Sequence, residues 1–129
     1  ENRNIEILSN GSPTRTFCYV ADAVLGHLKV LLYGKYDYFN IGIDKPEITI
    51  SQLAEIYAQA GREILGYTGR VTYGRSEDTQ YLTDNPQRRC PSIEKARRLL
   101  GYAPSILVEE GIRRFLTFIK ESDEGVLKW

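Results

Sequence analysis

Three arginines stand in the two segments of this chain whose residue types and spacing are best suited to chemistry. Arg15 lies in residues 10–22, where a turn precedes a short β-like run and the start of a helix pattern. Arg88 and Arg89 lie in residues 84–91, again in a loop before a helix pattern. A guanidinium group offers two parallel charge-assisted hydrogen bonds to a phosphate. Two such groups held in loops beside helix starts therefore favour a diphosphate ligand.

The overall charge of the chain argues against other classes of ligand. It has 17 basic and 17 acidic residues among 129, and proteins that bind nucleic acid usually carry a basic excess or a basic face. No apolar run approaches the roughly 20 residues that a membrane span needs, and the first residues lack the apolar stretch of a signal peptide. We therefore expect a cytoplasmic protein without nucleic-acid or membrane partners.

The sequence also disfavours a metal site. Cys18 and Cys90 are the only cysteines, neither belongs to a CxxC pair, and a single histidine does not complete a zinc site with them. In a cytosolic protein such thiols are usually reduced. We expect two reduced, partly buried cysteines and no bound metal.

The elements that must position the arginines are a mixture of short strands and helices. β-Branched and aromatic runs predict strands at residues 5–8, 16–20, 38–43 and 71–73. Apolar residues at helical spacing predict helices at residues 23–33, 53–64, 93–100 and 108–119. Because strands and helices do not alternate strictly, the pattern indicates a small α+β unit with about four helices in one domain over residues 1–129.

Local signals mark where these helices begin and end. Thr49 and Gln52 have the spacing of a capping box, in which each side chain bonds a backbone amide of the other residue. Asp22 and Ser92 are expected near the starts of the first and third helices. Glycines after the second and third helices are natural stops.

Five segments occur in the order found in one large enzyme family. They are Arg15-Thr-Phe-Cys-Tyr-Val-Ala-Asp22, Phe39-Asn-Ile-Gly42, Thr49-Ile-Ser-Gln-Leu-Ala54, Asp84-Asn-Pro-Gln-Arg-Arg-Cys-Pro-Ser-Ile-Glu-Lys-Ala96 and Leu99-Leu-Gly-Tyr-Ala-Pro104. From about Ile5 to Lys120 the chain resembles the C-terminal, sugar-nucleotide-binding part of the extended short-chain dehydrogenases/reductases, the NAD-dependent epimerase/dehydratase family. This resemblance implies a fragment of an α/β superfamily, namely the substrate lobe without its Rossmann domain.

Within that family the chain is most similar to the UDP-glucuronate decarboxylases. It departs from their pattern at Asn85, Cys90 and Ser92, where an acidic, a basic and an acidic residue are usual. Related 4-epimerases and 4,6-dehydratases of nucleoside-diphosphate sugars therefore stay open as alternatives. An alternative hypothesis from a different functional class is a non-catalytic interaction module, in which the arginines bind an acidic partner.

The resemblance also implies roles for individual residues. Arg15 matches an arginine that contacts the nucleotide diphosphate, and Arg89 matches the second such arginine, with adjacent Arg88 as the alternative. Tyr19 and Tyr81 are lesser candidates for lining the sugar-nucleotide pocket. No catalytic residue and no metal ligand is implied in this chain.

The cofactor is implied only for the intact enzyme. In the family, NAD binds a glycine-rich turn of an N-terminal Rossmann domain, and the base is a tyrosine with a lysine four residues later. The 11 glycines here form no GxGxxG or GxxGxxG pattern, and none of the nine tyrosines has that lysine. We expect the chain alone to bind no NAD and to be inactive. The intact enzyme is expected to be a homodimer that converts UDP-glucuronate to UDP-xylose through oxidation, loss of carbon dioxide and re-reduction.

Overall fold

A computed structural model describes residues 3–76 and 86–123 of the chain, with Asp123 described by its backbone alone. The strands among these residues are β1 (Ile5–Ile7), β2 (Thr14–Arg15), β3 (Ile48–Thr49), β4 (Val71–Tyr73) and β5 (Arg88–Arg89). The helices are α1 (Val20–Leu31), α2 (Ile50–Leu65), α3 (Glu94–Leu100) and α4 (Val108–Asp123). This mixture of short strands and four helices confirms the predicted fold class.

The strands form two small sheets. β1 pairs with β4 in parallel, and Ile5 lies opposite Val71. The second sheet has the order β3-β2-β5, with β2 antiparallel to β3 and parallel to β5. The central strand β2 therefore joins residues that lie more than thirty positions away on either partner.

The larger core lies between α2 and α4. Both helices carry apolar residues at helical spacing on one face, and the buried members of this cluster are Ala60, Val108, Ile112 and Leu116. Partly buried side chains such as Leu53 and Tyr57 pack around them. Full burial of a side chain the size of Ile112 or Leu116 contributes about 1.5–3 kcal/mol. This helix pair is the main source of apolar stabilisation among the described residues.

The capping box of α2 is present as predicted. The Thr49 hydroxyl accepts from the Gln52 amide at 3.0 Å, and the Gln52 side-chain oxygen accepts from the Thr49 amide at 2.8 Å. Gly66 ends the helix with a left-handed φ of 66°, a conformation that glycine adopts without a Cβ clash. Since Thr49 is also the last residue of β3, the strand leads directly into the helix.

A second cluster gathers around Tyr102, which is fully buried together with Ile93 and Ala96. The Tyr102 hydroxyl donates to the Gly42 carbonyl at 2.9 Å, and burial raises the pKa of Tyr102, so the phenol stays protonated as a donor. α1 crosses this cluster at Gly26, where a Cβ would lie 2.5 Å from Ile41. Glycine at this position therefore allows the helix to approach.

Two predicted strands were wrong. Residues 16–20 do not form a strand, because β2 comprises only Thr14–Arg15 and α1 already begins at Val20. Residues 38–43 have no strand partner among the described residues. Phe39 and Ile41 of this segment nevertheless pack against the Tyr102 cluster. Apolar alternation thus identified side chains that face a core, but pairing depends on a second strand.

Two predicted helix N-caps were also wrong. α1 begins before Asp22, and the buried Asp22 carboxylate instead accepts from the backbone amides of Ser105 and Ile106 at 3.0 and 2.8 Å. α3 begins at Glu94, and its N-cap position carries no side-chain cap from Ser92. Asp22 therefore ties α1 to the loop before α4.

Candidate functional site

The three-stranded sheet brings Arg15 and Arg89 together. The two residues are register partners on the parallel strands β2 and β5, and neighbouring strands lie about 4.8 Å apart. Because side chains alternate between the faces of a strand, register partners share a face. Two arginines 74 positions apart in the sequence thus form an adjacent cationic pair.

Arg88 lies on the opposite face of the same sheet. It is the register partner of Thr14, and its guanidinium binds the Glu47 carboxylate through Nε at 2.9 and 3.0 Å and through Nη2 at 2.8 Å. The Thr14 hydroxyl donates to the same carboxylate. The Arg88 and Thr14 hydrogen bonds lower the pKa of Glu47. The charge of Arg88 is therefore neutralised on its own face.

The environments of Arg15 and Arg89 differ. Arg15 is half-buried, and its guanidinium donates to the carbonyls of Thr14 and Pro86, both at 2.7 Å. These bonds hold Arg15 against Pro86, which lies two residues before the start of β5. The Arg89 side chain is exposed and has no hydrogen-bond or ion-pair partner among the described residues. One arginine is anchored, and the other is open to solvent.

A guanidinium group can donate charge-assisted hydrogen bonds to an anion. Register partners on neighbouring strands are near enough in space to share one ligand. The Arg15–Arg89 face of the sheet can therefore hold an anion with two acceptor groups.

A groove of about 480 Å³ begins beside Arg15 and runs between β1 and α2. Its lining is Ile5, Glu6, Ile7, Leu8, Ser9, Pro13, Arg15, Ile50, Leu53, Ala54 and Tyr57. The volume lies within the range of small-molecule sites. An apolar groove that ends at a cation suits a ligand in which a planar or apolar group is joined to an anion.

Tyr19 lies in a different groove. This groove, about 380 Å³ in volume, is lined by Tyr19, Phe17, Leu107 and Phe115 among others, and none of the three arginines lines it. The Tyr19 ring lies 5.8 Å from the Arg114 guanidinium carbon. The two grooves share Leu53 and Tyr57 in their linings, and a role of Tyr19 in lining the sugar-nucleotide pocket stays a prediction. Tyr81 lies outside the described residues.

Glu47 is a residue of this region that sequence analysis missed. It contacts both strands that carry the arginines, through Thr14 and Arg88. A single glutamate after Lys45 and Pro46 forms no motif in the sequence. Only the pairing of β3 with β2 brings it to Arg88, so no local signal could have identified it.

The two cysteines bond to groups other than the arginine pair, although Cys90 directly follows Arg89 and its thiol donates to the Asp44 carbonyl at 3.4 Å. Cys18 and Cys90 are free thiols, and the Cys18 sulfur lies 3.6 Å from the Tyr102 hydroxyl. Burial raises the pKa of Cys18, which makes it a poor nucleophile at neutral pH. Over residues 3–76 and 86–123, no group of three or more His, Cys, Asp or Glu side chains could hold a metal ion. None of the helices in the same ranges is long and apolar enough to cross a membrane.

Comparison with known proteins confirms the resemblance stated from the sequence. UDP-glucuronic acid decarboxylase 1 of Xenopus tropicalis is 28% identical over 124 residues, which are 96% of this chain and 27% of that protein. UDP-glucuronate 4-epimerase of Thermodesulfobacterium geofontis is also 28% identical over 124 residues, or 96% of this chain and 36% of that protein. The chain thus spans about a quarter to a third of the length of these relatives. No known family profile matches it.

Solved structures give the same fold. An epimerase of Methanothermobacter thermautotrophicus superposes with a TM-score of 0.79 at 28% identity, covering 97% of this chain and 35% of that one. UDP-glucuronic acid 4-epimerase of Bacillus cereus, solved with UDP-glucuronic acid and NAD, superposes at 0.71 with 24% identity, covering 92% and 36%. The chain is homologous to decarboxylases and epimerases of sugar nucleotides, and it matches the C-terminal part of the extended short-chain dehydrogenase/reductase fold.

Proposed function

We propose that residues 1–129 form the substrate-binding domain of an NAD-dependent enzyme that acts on a nucleoside-diphosphate sugar. The observation that carries the proposal is the register pairing of Arg15 with Arg89. Each guanidinium would bind one phosphoryl group of the diphosphate by charge-assisted hydrogen bonds. Anchoring the substrate far from its reacting carbon aids catalysis by fixing the geometry at that carbon.

The groove beside Arg15 supports a nucleotide ligand. Its apolar lining, which includes Tyr57 and Leu53, could cover a nucleobase while the diphosphate lies at the arginines. The names of the decarboxylase and epimerase relatives point to UDP-sugars. We therefore favour UDP as the nucleotide.

NAD would be bound by the part of a longer polypeptide that lies outside this chain. A bound nicotinamide cofactor supplies hydride transfer to and from the sugar, and the residues described above would only hold the substrate. We propose that this chain alone binds UDP-sugars without turning them over. The Bacillus cereus epimerase, of which this chain matches 36%, was solved with both UDP-glucuronic acid and NAD.

For the reaction itself, we propose decarboxylation of UDP-glucuronate to UDP-xylose, with 4-epimerisation as the alternative. Identity to the decarboxylase and to the 4-epimerase is equal at 28%. Incubation of the longer protein with UDP-glucuronate and NAD separates the two, because only decarboxylation releases carbon dioxide. UDP-xylose as the product supports the first proposal, and UDP-galacturonate supports the alternative.

The outer face of α1 is proposed as the contact with the cofactor domain of that longer polypeptide. This face exposes six apolar side chains, namely Val20, Val24, Leu25, Leu28, Leu31 and Leu32. The opposite face packs on Ile41 and Tyr102 at Gly26. A helix that is apolar on both sides is normally an inner layer. The relatives are about three to four times longer than the matched region. We therefore propose that the cofactor domain of a longer polypeptide covers this face of α1.

Replacement of two exposed leucines tests this contact. In the longer protein, Leu28→Glu with Leu31→Glu should loosen the two domains, which limited proteolysis would detect as faster cleavage between them. The same change in this chain alone should leave its unfolding free energy within about 0.5 kcal/mol. If the double variant instead converts a homodimer to a monomer without faster cleavage, a second copy covers this face and the proposed contact is wrong.

The diphosphate site is tested by calorimetric titration with UDP, UDP-glucuronate and inorganic phosphate. Arg15→Ala and Arg89→Ala should each weaken UDP binding by about 1.5–3 kcal/mol, the contribution of a hydrogen bond to a charged group. Arg62→Ala is the control, since Arg62 lies about 20 Å along the α2 axis from Thr49. Unchanged UDP affinity in both site variants would contradict the assignment.

The same titration addresses the non-catalytic alternative. An interaction module would bind an acidic peptide through Arg15 and Arg89 and would not distinguish UDP from inorganic phosphate. Preference for UDP, lost in Arg15→Ala and retained in Arg62→Ala, would exclude that alternative.

A further inference from the structure

We propose that Glu47 is a positioning residue, which fixes the register of β5 so that Arg89, rather than Arg88, stands beside Arg15. The effect of Glu47 on ligand binding rests on the proposed diphosphate site. Its effect on the register of β5 rests only on the contacts that Glu47 makes. Glu47 touches no proposed ligand position and acts through Arg88 and Thr14.

The geometry of the Glu47 contacts is suited to this task. The carboxylate accepts from Arg88 in a bidentate arrangement, with the shortest N–O distance 2.8 Å, and from the Thr14 hydroxyl. Glu47 immediately precedes β3, Thr14 belongs to β2, and Arg88 belongs to β5. One carboxylate thereby links all three strands, and it does so on the face opposite Arg15 and Arg89.

The backbone ladder alone specifies this register weakly. β2 and β5 are two residues long, and the amide of Thr14 donates to the Gln87 carbonyl at 2.8 Å beside them. A shift of one residue in a strand moves each side chain to the other face. A shift of β5 by one position in one direction would therefore place Arg88 beside Arg15, and a shift in the other direction would place Cys90 there. Either shift moves Arg89 out of the pair.

Side-chain charge distinguishes the two registers. In the observed register, Arg88 meets Glu47, and on the opposite face Arg15 donates to the Pro86 carbonyl. In the register that places Arg88 beside Arg15, Gln87 would lie opposite Thr14, and Glu47 would lose its bidentate partner. The preference for Arg89 in the cationic pair thus follows from the position of one glutamate.

The test uses Glu47→Gln, which keeps the shape of the side chain and removes its charge, and Arg88→Met, which removes its partner. Two readouts are followed, the UDP dissociation constant and the hydrogen-exchange rate of the Thr14 amide. In each variant we expect both to rise about two- to fivefold, the range for a partly exposed ion pair. Because both substitutions break one contact, the double variant should be no weaker than either single variant.

Rescue and control variants separate positioning from a general loss of stability. Glu47→Arg combined with Arg88→Glu should restore both readouts towards their original values. Glu63→Gln breaks a comparable exposed ion pair, with Arg113 between α2 and α4, and should leave both readouts unchanged.

Other outcomes overturn the proposal. An unchanged Thr14 exchange rate in Glu47→Gln would show that Glu47 does not fix the strand. Tighter UDP binding in that variant would show that Glu47 restrains Arg88 from binding phosphate itself. If the unaltered protein fails to bind UDP, the diphosphate proposal fails, while the exchange measurement still decides whether Glu47 holds β5.

Discussion

The α2–α4 helix pair and the β3-β2-β5 sheet are stabilised by different interactions. The helix pair buries Ile112 and Leu116 between two sixteen-residue helices. The sheet has strands of two residues and exposes Arg88 and Arg89. Its specific contacts are polar side chains, above all the Glu47 carboxylate. Stability of this domain is therefore concentrated in one region, and the candidate ligand groups in the other.

Because of this difference, we expect ligand affinity and the free energy of unfolding to respond to different substitutions. A buried apolar cluster resists changes in shape, since its packing is close to that of a crystal. A short sheet held by exposed charges can change partners at little cost. The following predictions test how far the two regions are independent.

The largest expected effect is in the helix pair. Ile112→Ala removes buried methyl and methylene groups and should lower the free energy of unfolding by about 2–5 kcal/mol. Urea denaturation measures this loss, and Thr117→Ala, an exposed change on the same helix, is the control. The UDP dissociation constant of the folded Ile112→Ala protein should stay within about twofold of the original. A larger change would show that the regions are coupled.

The next effect extends the comparison to α1. Gly26→Ala places a methyl group against Ile41 and Tyr102, and the crowding exceeds the gain in helix propensity, for a net loss of about 1–2 kcal/mol. Val24→Ala on the exposed face of the same helix should change stability by less than about 0.5 kcal/mol. Equal effects of the two variants in thermal unfolding would contradict the packing described for Gly26.

A smaller effect is expected at the junction of the two regions. Thr49 caps α2 and also pairs with Thr14 in the sheet. Thr49→Ala removes the cap and should cost about 1 kcal/mol in urea denaturation. Thr49→Ser keeps the hydroxyl and should retain most of that stability. Thr49 lies on the same face of the sheet as Thr14, opposite Arg15 and Arg89. Thr49→Ala should therefore raise the UDP dissociation constant only to the extent that the substitution loosens β3.

The smallest effect is in the sheet and depends on pH. Hydrogen bonds from Arg88 and Thr14 hold the pKa of the Glu47 carboxyl group below its ordinary value of 4.5. A carboxyl group with a lowered folded-state pKa contributes fully above its unfolded pKa, and the contribution is lost as pH falls through the folded pKa. The ratio of UDP dissociation constants between Glu47→Gln and the original protein should thus be constant above about pH 5.5. It should fall towards one as the solution becomes more acidic, and a ratio that rises instead would contradict the assignment.

Sequence patterns predicted the helical region better than the sheet. The capping box at Thr49 and the stop at Gly66 were confirmed, because both depend on residues a few positions apart. The apolar spacing that predicted α4 is borne out by the burial of Ile112 and Leu116. Local hydrogen bonds and helical periodicity are carried by contiguous sequence, so these features could be predicted directly.

The sheet depends on distant residues and was therefore predicted poorly. Thr14 and Arg15 form too short a run to predict a strand on their own, and they become a strand only between β3 and β5. The run 38–43 has a stronger strand pattern and lacks a partner among residues 3–76 and 86–123. Resemblance to a family singled out Arg15 and Arg89, but only the register shows that they are neighbours. Neither a local sequence pattern nor the resemblance to a family identified Glu47.

The tandem of Arg88 and Arg89 has a consequence for how the sequence of this domain can vary. An insertion or deletion of one residue before β5 would normally place the wrong side chain at the end of the pair with Arg15. Here an insertion brings Arg88 to that position and exchanges the two cations rather than removing one, whereas a deletion brings Cys90. The doubled arginine therefore gives the loop tolerance to a one-residue insertion, and we expect such an insertion to reduce UDP affinity by less than Arg89→Ala does.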